Sequence, residues 1–319
     1  MASMITMFLQ SAYSMIDGLF VSNLIGDTAL SAVNVAWPVI AVVTAIGTGV
    51  GCGGAVMMST KQGEGKNEES NIVRANVILA LLASSIVVTI LFLILLTPLL
   101  KLMGAEGELL RLSQIYGRVM LTGGVLQIFC CGLTPLLRND NRAVSAMMIM
   151  VGGLFANLGL DFVFMYVFHM GIGGAAGASL CAQLFTTLCC LIILGTKKTD
   201  PIRFSQFIIR KEYWKKIFKT AVSPFGISLT PSLLILYHNV ACLKFGGDLA
   251  VNAYALISST VGSYRVLLIG VAEGIQPLAS YAYGAHDFHA IRKIRNKAVI
   301  TAIGVSFFLF IFTIATARF

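Results

Sequence analysis

Nine stretches of this sequence stay apolar for twenty residues or more, and that length leaves few folding options. They cover 1–24, 35–59, 72–97, 114–137, 143–168, 172–195, 217–245, 250–283 and 297–317. About 20 helical residues match the roughly 30 Å hydrocarbon core of a bilayer. Inside that core each segment has to satisfy its own backbone N–H and C=O groups, so the runs read as transmembrane helices. Composition agrees: 57% of the 319 residues are hydrophobic and 12% are charged, against about a quarter charged in soluble domains. The expected fold class is an all-α polytopic membrane protein with about nine transmembrane helices.

The net charge of +9 would suit a nucleic-acid partner, but the placement of the charges excludes that reading. Of the 23 Lys and Arg residues, 17 fall after the second, fourth, sixth and eighth spans. Four lie on the opposite side: Lys101, Arg111, Lys244 and Arg318. Basic loops mark the cytoplasmic side, so the N-terminus is expected in the cytoplasm of a multi-pass cell-membrane protein. Asp200 and Asp287 then face the cytoplasm, and Asp27 and Asp248 face outside. No basic segment precedes the first apolar run, so no cleavable signal peptide is expected. The seven cysteines all lie in apolar runs without C-x-x-C spacing and read as small packing residues.

The chain repeats itself. GDTALSA at 26–32 matches GDLAVNA at 247–253 at an offset of 221. The same offset pairs Gly49 with Gly270, Gly53 with Gly274, Ser59 with Ser280, Gly63 with Gly284 and Arg74 with Arg295. Six spans separate the copies, so both have the same orientation: two six-helix lobes related by a parallel repeat about an axis along the membrane normal. Residues 1–195 form the first lobe, 196–216 a basic cytoplasmic linker, and 217–319 the first three helices of an incomplete second lobe. A second copy as long as the first would run roughly 115 residues past Phe319, so the sequence reads as part of a 6 + 6 protein.

Ionisable residues inside the spans cost several kcal/mol unless something satisfies them, and they mark ion or substrate paths. Asp17 is the lone charge in the first span. Asn157 and Asp161 are four apart on one face of the fifth helix. Two carboxylates and a carboxamide in one bundle suit a hard cation or a proton, since close carboxylates raise each other's pKa. The competing reading is a buried polar network that only fixes packing. His238 falls at the repeat position of Asp17 and is either titratable or merely hydrogen-bonded. Glu273 sits in the eighth span near Gln276 and Pro277. It is either a counter-charge for a cationic substrate or one half of an interhelical pair. His286, Asp287 and His289 have metal-ligand spacing but lie beside Arg292 and Lys293, so a solvated loop is expected and no metal site.

Three segments carry a family resemblance. They are YSMIDGLFVSNLIGDTALSA from Tyr13, NLGLDFVFMYVFHMGIGGAAGAS at 157–179 continued by Gln183, and GIQPLASYAYGA at 274–285. Together they resemble the multidrug and toxic compound extrusion (MATE) family of cation-coupled efflux antiporters. The resemblance implies a first-lobe cation or proton site at Asp17, Asn157 and Asp161. Candidate substrate-pathway residues are Glu273, Gln276, His238 and Gln183. Some members have an acidic site on the seventh helix. This chain has no carboxylate between Glu212 and Asp248, so that second site is not expected.

The expected function is a cation-coupled antiporter, driven by H⁺ or Na⁺, that exports organic and often cationic compounds by alternating access. One alternative is a lipid-linked saccharide flippase, which would need an arginine-rich cavity. Here only Arg118 and Arg265 lie within spans, against three carboxylates. The other alternative is an inactive truncated fragment. H-E-x-x-H, G-x-S-x-G and Gly-rich phosphate loops are absent from the sequence, so neither an enzyme nor a nucleotide-driven pump is expected. The expected partners are small organic substrates and the bilayer, for a monomer with no cofactor beyond its coupling ion.

Overall fold

The computed structural model describes residue 9, residues 25–196 and residues 206–316; within its helices the side chains at 27, 236, 239, 240, 243, 246–253, 255, 256, 259, 260 and 316 lie outside the description. Asp17 and Asp200, and the side chains of Asp27 and Asp248, are therefore outside the described residues. Among the described residues the chain is entirely helical: α1 (Asp27–Gly63), α2 (Asn67–Leu102), α3 (Gly107–Thr122), α4 (Gly124–Asn139), α5 (Ala143–Asp161), a π-helical turn (Phe162–Val167), α6 (Gly171–Gly195), α7 (Lys211–Gly284) and α8 (Phe288–Thr316). Five of these segments are long and apolar enough to span a bilayer, and α3 with α4 makes a sixth. At 37 residues, α1 is about 55 Å long and overshoots the hydrocarbon core, so its C-terminal turns reach the basic side. There Lys61 bonds Glu64 and Glu69 at 2.9 and 2.8 Å, and Lys66 bonds Glu64 at 3.0 Å. The Lys61 and then the Lys66 ammonium hold the Glu64 carboxyl below its ordinary 4.5.

Two regions differ from the sequence expectation. Residues 114–137 read as one helix, but the chain bends by 57° between α3 and α4. Gly123 and Gly124 sit at the bend, where β-carbons would run into Leu180 and Thr89. The bend breaks the backbone ladder, and the buried Gln127 amide repairs it by donating to the Met120 carbonyl at 2.9 Å.

The other difference is α7, which is helical from 211 to 284 where two spans were expected. It is not straight. His238 and Tyr254 are 16 residues apart, about 24 Å along a straight helix, yet their rings stack at 5.0 Å. The chain therefore reverses between 238 and 254, where Gly246, Gly247 and Asp248 fall. Its first arm packs on the middle of α1, with Ala221 against Gly53. Its second arm returns to the end of α1, with Gly284 against Thr60. Tyr264 ties that arm to α8 through Thr313 at 2.6 Å.

The apolar core lies between α1 and its neighbours α2 to α5, where Ile40, Leu81, Leu121, Ile128 and Leu133 are fully buried. Small residues set the spacing: Gly51 meets Gly132, and Gly47 meets the Ile128 backbone. Large apolar side chains elsewhere point outward, including Ile94, Phe155, Ile192 and Phe308 at 61–70% exposure. That inversion fits lipid as the outer solvent.

Candidate functional site

Two polar assemblies stand out, one in the half of the bundle away from the basic ends and one at the basic end itself. The first is a partly open cavity of about 480 Å³ lined by Leu9 and by α1, α3, α4, α5 and α6. Asn34, Thr44, Tyr116, Asn157, Ser179, Gln183 and Thr186 supply its polar wall; Trp37, Met120 and Met150 supply apolar and aromatic surface. Such a mix suits a small organic molecule, which needs apolar cover and a few placed polar groups. Methionine adds a surface that adapts to different shapes.

Asp161 is fully buried just behind this wall, and Asn157 is 6% exposed. The Asn157 amide donates to Asp161 Oδ2 at 3.0 Å, so one carboxamide faces the cavity and holds the carboxylate. Asp161 is the last residue of α5, and the helix then widens into the π turn. Such turns interrupt the regular ladder and recur at functional sites. Gln183 contributes a buried Oε1 with no hydrogen-bond partner among the described residues. It is an acceptor available to a ligand N–H.

The second assembly joins the two halves of the repeat. The Arg138 guanidinium, in the last turn of α4, donates to the Glu273 carboxylate on the second arm of α7. Arg138 was counted among the loop charges; it lies inside the helix, 8% exposed. Beside it, Asn139 Nδ2 donates to Gln276 Oε1 at 3.3 Å and to the Pro135 carbonyl at 2.9 Å. Its Oδ1 accepts from the Ser59 hydroxyl at 2.8 Å. The Thr60 hydroxyl reaches the Ser280 carbonyl at 3.5 Å. Gly63 and Gly284, repeat partners in sequence, meet in space, and a β-carbon on either would strike the other helix's backbone. Further in, Arg74 pairs with Asp140 at 3.7 Å, both buried, and the Gln62 amide donates to the same carboxylate at 3.4 Å. This polar layer closes the basic end.

The expected site residues thus separate. Asn157, Asp161 and Gln183 gather at the cavity. Glu273 and Gln276 belong to the basic-end layer. His238 is exposed on the first arm of α7, with Nδ1 2.7 Å from the Leu234 carbonyl. Asp17 lies outside the described residues. Asp287 accepts the Ala290 N–H at 2.8 Å and caps α8. Sequence reasoning missed Arg138, Asn139, Gln127 and Asn34. Only the repeat register of Ser59, Gly63, Ser280 and Gly284 pointed toward the closed crossing.

A bilayer-spanning helical bundle with a mixed polar cavity and a sealed polar layer at one end is built as a membrane transporter. This chain belongs to the MatE family, whose model matches residues 2–163 and 227–319. It is 26% identical over 310 residues to the multidrug export protein MepA of Staphylococcus aureus strain N315, covering 95% of this chain and 67% of MepA. To MepA of Staphylococcus saprophyticus it is 25% identical over 302 residues, covering 94% and 66%. The chain spans about two thirds of the length of these relatives. Among solved structures it is similar to the outward-facing conformation of a multidrug resistance MATE family transporter of the MOP superfamily. That match has a TM-score of 0.93 at 26% identity and covers 99% of this chain and 70% of the other. A crystal structure of MATE in the bent conformation gives 0.91 at 26% identity, covering 99% and 71%.

Proposed function

We propose that this chain works in a secondary antiporter that exports organic, often cationic compounds in exchange for H⁺ or Na⁺. The observation that carries the reading is the buried Asn157–Asp161 pair at the wall of the 480 Å³ cavity. An ionised carboxylate in that setting is costly unless a proton or cation compensates it. Na⁺ would draw on Asp161 together with Asn157 Oδ1; a proton would neutralise Asp161 directly. Either event changes what Asn157 offers to the cavity, so ion and substrate compete through one side chain. Such competition supplies the differential interaction that a coupled conformational change requires. Asp17 is the second carboxylate of this site in the proposal, and Gln183 an orienting acceptor for the substrate.

The halves of the repeat, 1–195 and 217–319 joined by 196–216, act as the moving lobes. The polar layer from Arg138–Glu273 to Gly63–Gly284 is the closed gate of one end state. The positive-inside bias makes that side cytoplasmic, in a monomer of the cell membrane with a cytoplasmic N-terminus. The names of the MepA relatives and of the MATE structures support export of small molecules.

The test uses purified protein in vesicles loaded with a fluorescent organic cation, with pH and Na⁺ gradients imposed separately. Export driven by one gradient and abolished by collapsing it is the expected result. Movement insensitive to both gradients would remove the antiporter.

A further inference from the structure

Outside the gate and the cavity, an apolar groove of about 500 Å³ runs between α1, α2 and the first arm of α7. On α7 its lining recurs at helical spacing as Trp214, Phe218, Ala221, Val222 and Phe225. A β-carbon on Gly49 would lie 3.0 Å from the Ala221 carbonyl, so the glycine lets α7 press onto α1 and forms the floor. The rims face outward, with Val87 and Val222 at 63% and 68% exposure. From Trp214 to Phe225 the groove is about 17 Å long, close to the roughly 15 Å hydrocarbon depth of one leaflet.

Apart from Ser84 the lining is apolar, and charged groups gather at the basic end of the groove. At 100° per residue, Lys211 extends the same face about one turn beyond Trp214 and Lys215 flanks it, while Glu212 points to the far side. Both lysines are exposed and form no ion pair among the described residues. The Trp214 indole N–H is buried and lacks an acceptor among the described residues. This end is held in place, because the Asn76 amide donates to the Ile208 carbonyl at 3.1 Å and accepts the Arg210 N–H at 3.0 Å.

An apolar channel one leaflet deep, ending in two exposed lysines that form no ion pair among the described residues, matches the polarity of an anionic phospholipid. We propose that this groove binds an anionic phospholipid of the leaflet at the basic end. One acyl chain lies between Val87 and Val222 beside the Trp214 ring, and the phosphate meets Lys211 and Lys215. The lipid then bridges the first half of the repeat and α7 on the membrane-facing side.

The sequence has two tryptophans, so Trp37→Phe leaves Trp214 as a single reporter. This protein is placed in phosphatidylcholine vesicles doped with brominated phosphatidylglycerol or brominated phosphatidylcholine, and quenching of Trp214 is titrated. A juxtamembrane cation favours an anionic lipid by about fivefold, hence roughly 25-fold for both lysines. Half-quenching is expected at a correspondingly lower fraction of phosphatidylglycerol. Lys211→Gln with Lys215→Gln should abolish that preference. Val222→Phe keeps both lysines but fills the groove and should also reduce it, with folding checked by circular dichroism. Equal quenching by the two lipids overturns the site. So does a preference that survives Val222→Phe, which would mean surface charge alone, and so does displacement of the quencher by a lipophilic drug without any anionic preference.

Discussion

Arg138 and Glu273 are bonded to each other although 135 positions separate them in the sequence. Their side chains are 9% and 20% exposed, so the pair is partly shielded from water. It joins α4 in the first half of the repeat to the second arm of α7 in the second, at the closed end of the bundle. In the proposed gate, this pair sets the balance between end states. Removing one partner leaves the other, largely buried charge uncompensated, at a cost between that of an exposed and a fully buried pair, about 1–3 kcal/mol.

Glu273→Gln should therefore shift the protein toward a state open at the basic end. Spin labels at Lys66 and His289, on the two sides of the crossing, should show a new population at longer distance by pulsed electron resonance. A distribution identical to that of the unmodified protein would contradict the gate.

Gly284→Val tests the same crossing sterically. The added carbons would strike the Thr60 backbone, which cannot rotate away as a side chain could. Overpacking of this kind costs about 1–3 kcal/mol. The variant should unfold at lower temperature in detergent, and its spin-label distances should lengthen as they do in Glu273→Gln. Thermal stability equal to that of the parent would mean that the helices do not meet there.

Gln127→Leu removes the amide that satisfies Met120 at the bend between α3 and α4. A buried carbonyl left without a donor costs about 1–3 kcal/mol. Lowered thermal stability is expected, with amide exchange accelerating first around the bend at Gly123. Uniform exchange along α3 and α4 would contradict this role.

Glu64 provides a pH test at the basic surface. Its folded pKa is lowered by Lys61 and Lys66, so its stabilising contribution is present above its ordinary 4.5 and is lost as pH falls through the lower folded value. The turn linking α1 to α2 should loosen on acidification below about pH 4.5, measured as faster amide exchange at 64–66. Glu64→Gln should remove that dependence; an unchanged acid response in the variant would assign it to another group.

The spans at 35–59, 72–97, 143–168, 172–195 and 297–317 were legible because bilayer length and backbone satisfaction act locally and leave an apolar run in the sequence, whereas the expected first span, 1–24, lies outside the described residues. The fifth helix with Asn157 and Asp161 was legible for the same reason, since i and i+4 share a face wherever the helix sits. The bend at Gly123 was not, because a Gly-Gly pair within an apolar run resembles ordinary small-residue packing. Nor was its repair by Gln127, which depends on which carbonyl the bend releases. Arg138 was misplaced because it borders Asn139, Asp140 and Asn141, which read as a loop. Its partner is set by a helix crossing that no local pattern records. Gly63 and Gly284 lie between these cases: the repeat paired them, and their meeting in space follows only once an axis is placed between them.

The most direct test of the coupling role is gradient-driven export by Asp161→Asn protein in vesicles, measured beside equilibrium binding of the same organic cation. Asn preserves size and can still bond Asn157, but it neither carries a proton nor offers a charge to Na⁺. Export against a gradient should fall to the passive leak and binding in the cavity should lose its dependence on pH and Na⁺, while thermal stability stays close to that of the parent. Export at the parent rate by well-folded Asp161→Asn protein would contradict the assignment of coupling to the Asn157–Asp161 pair.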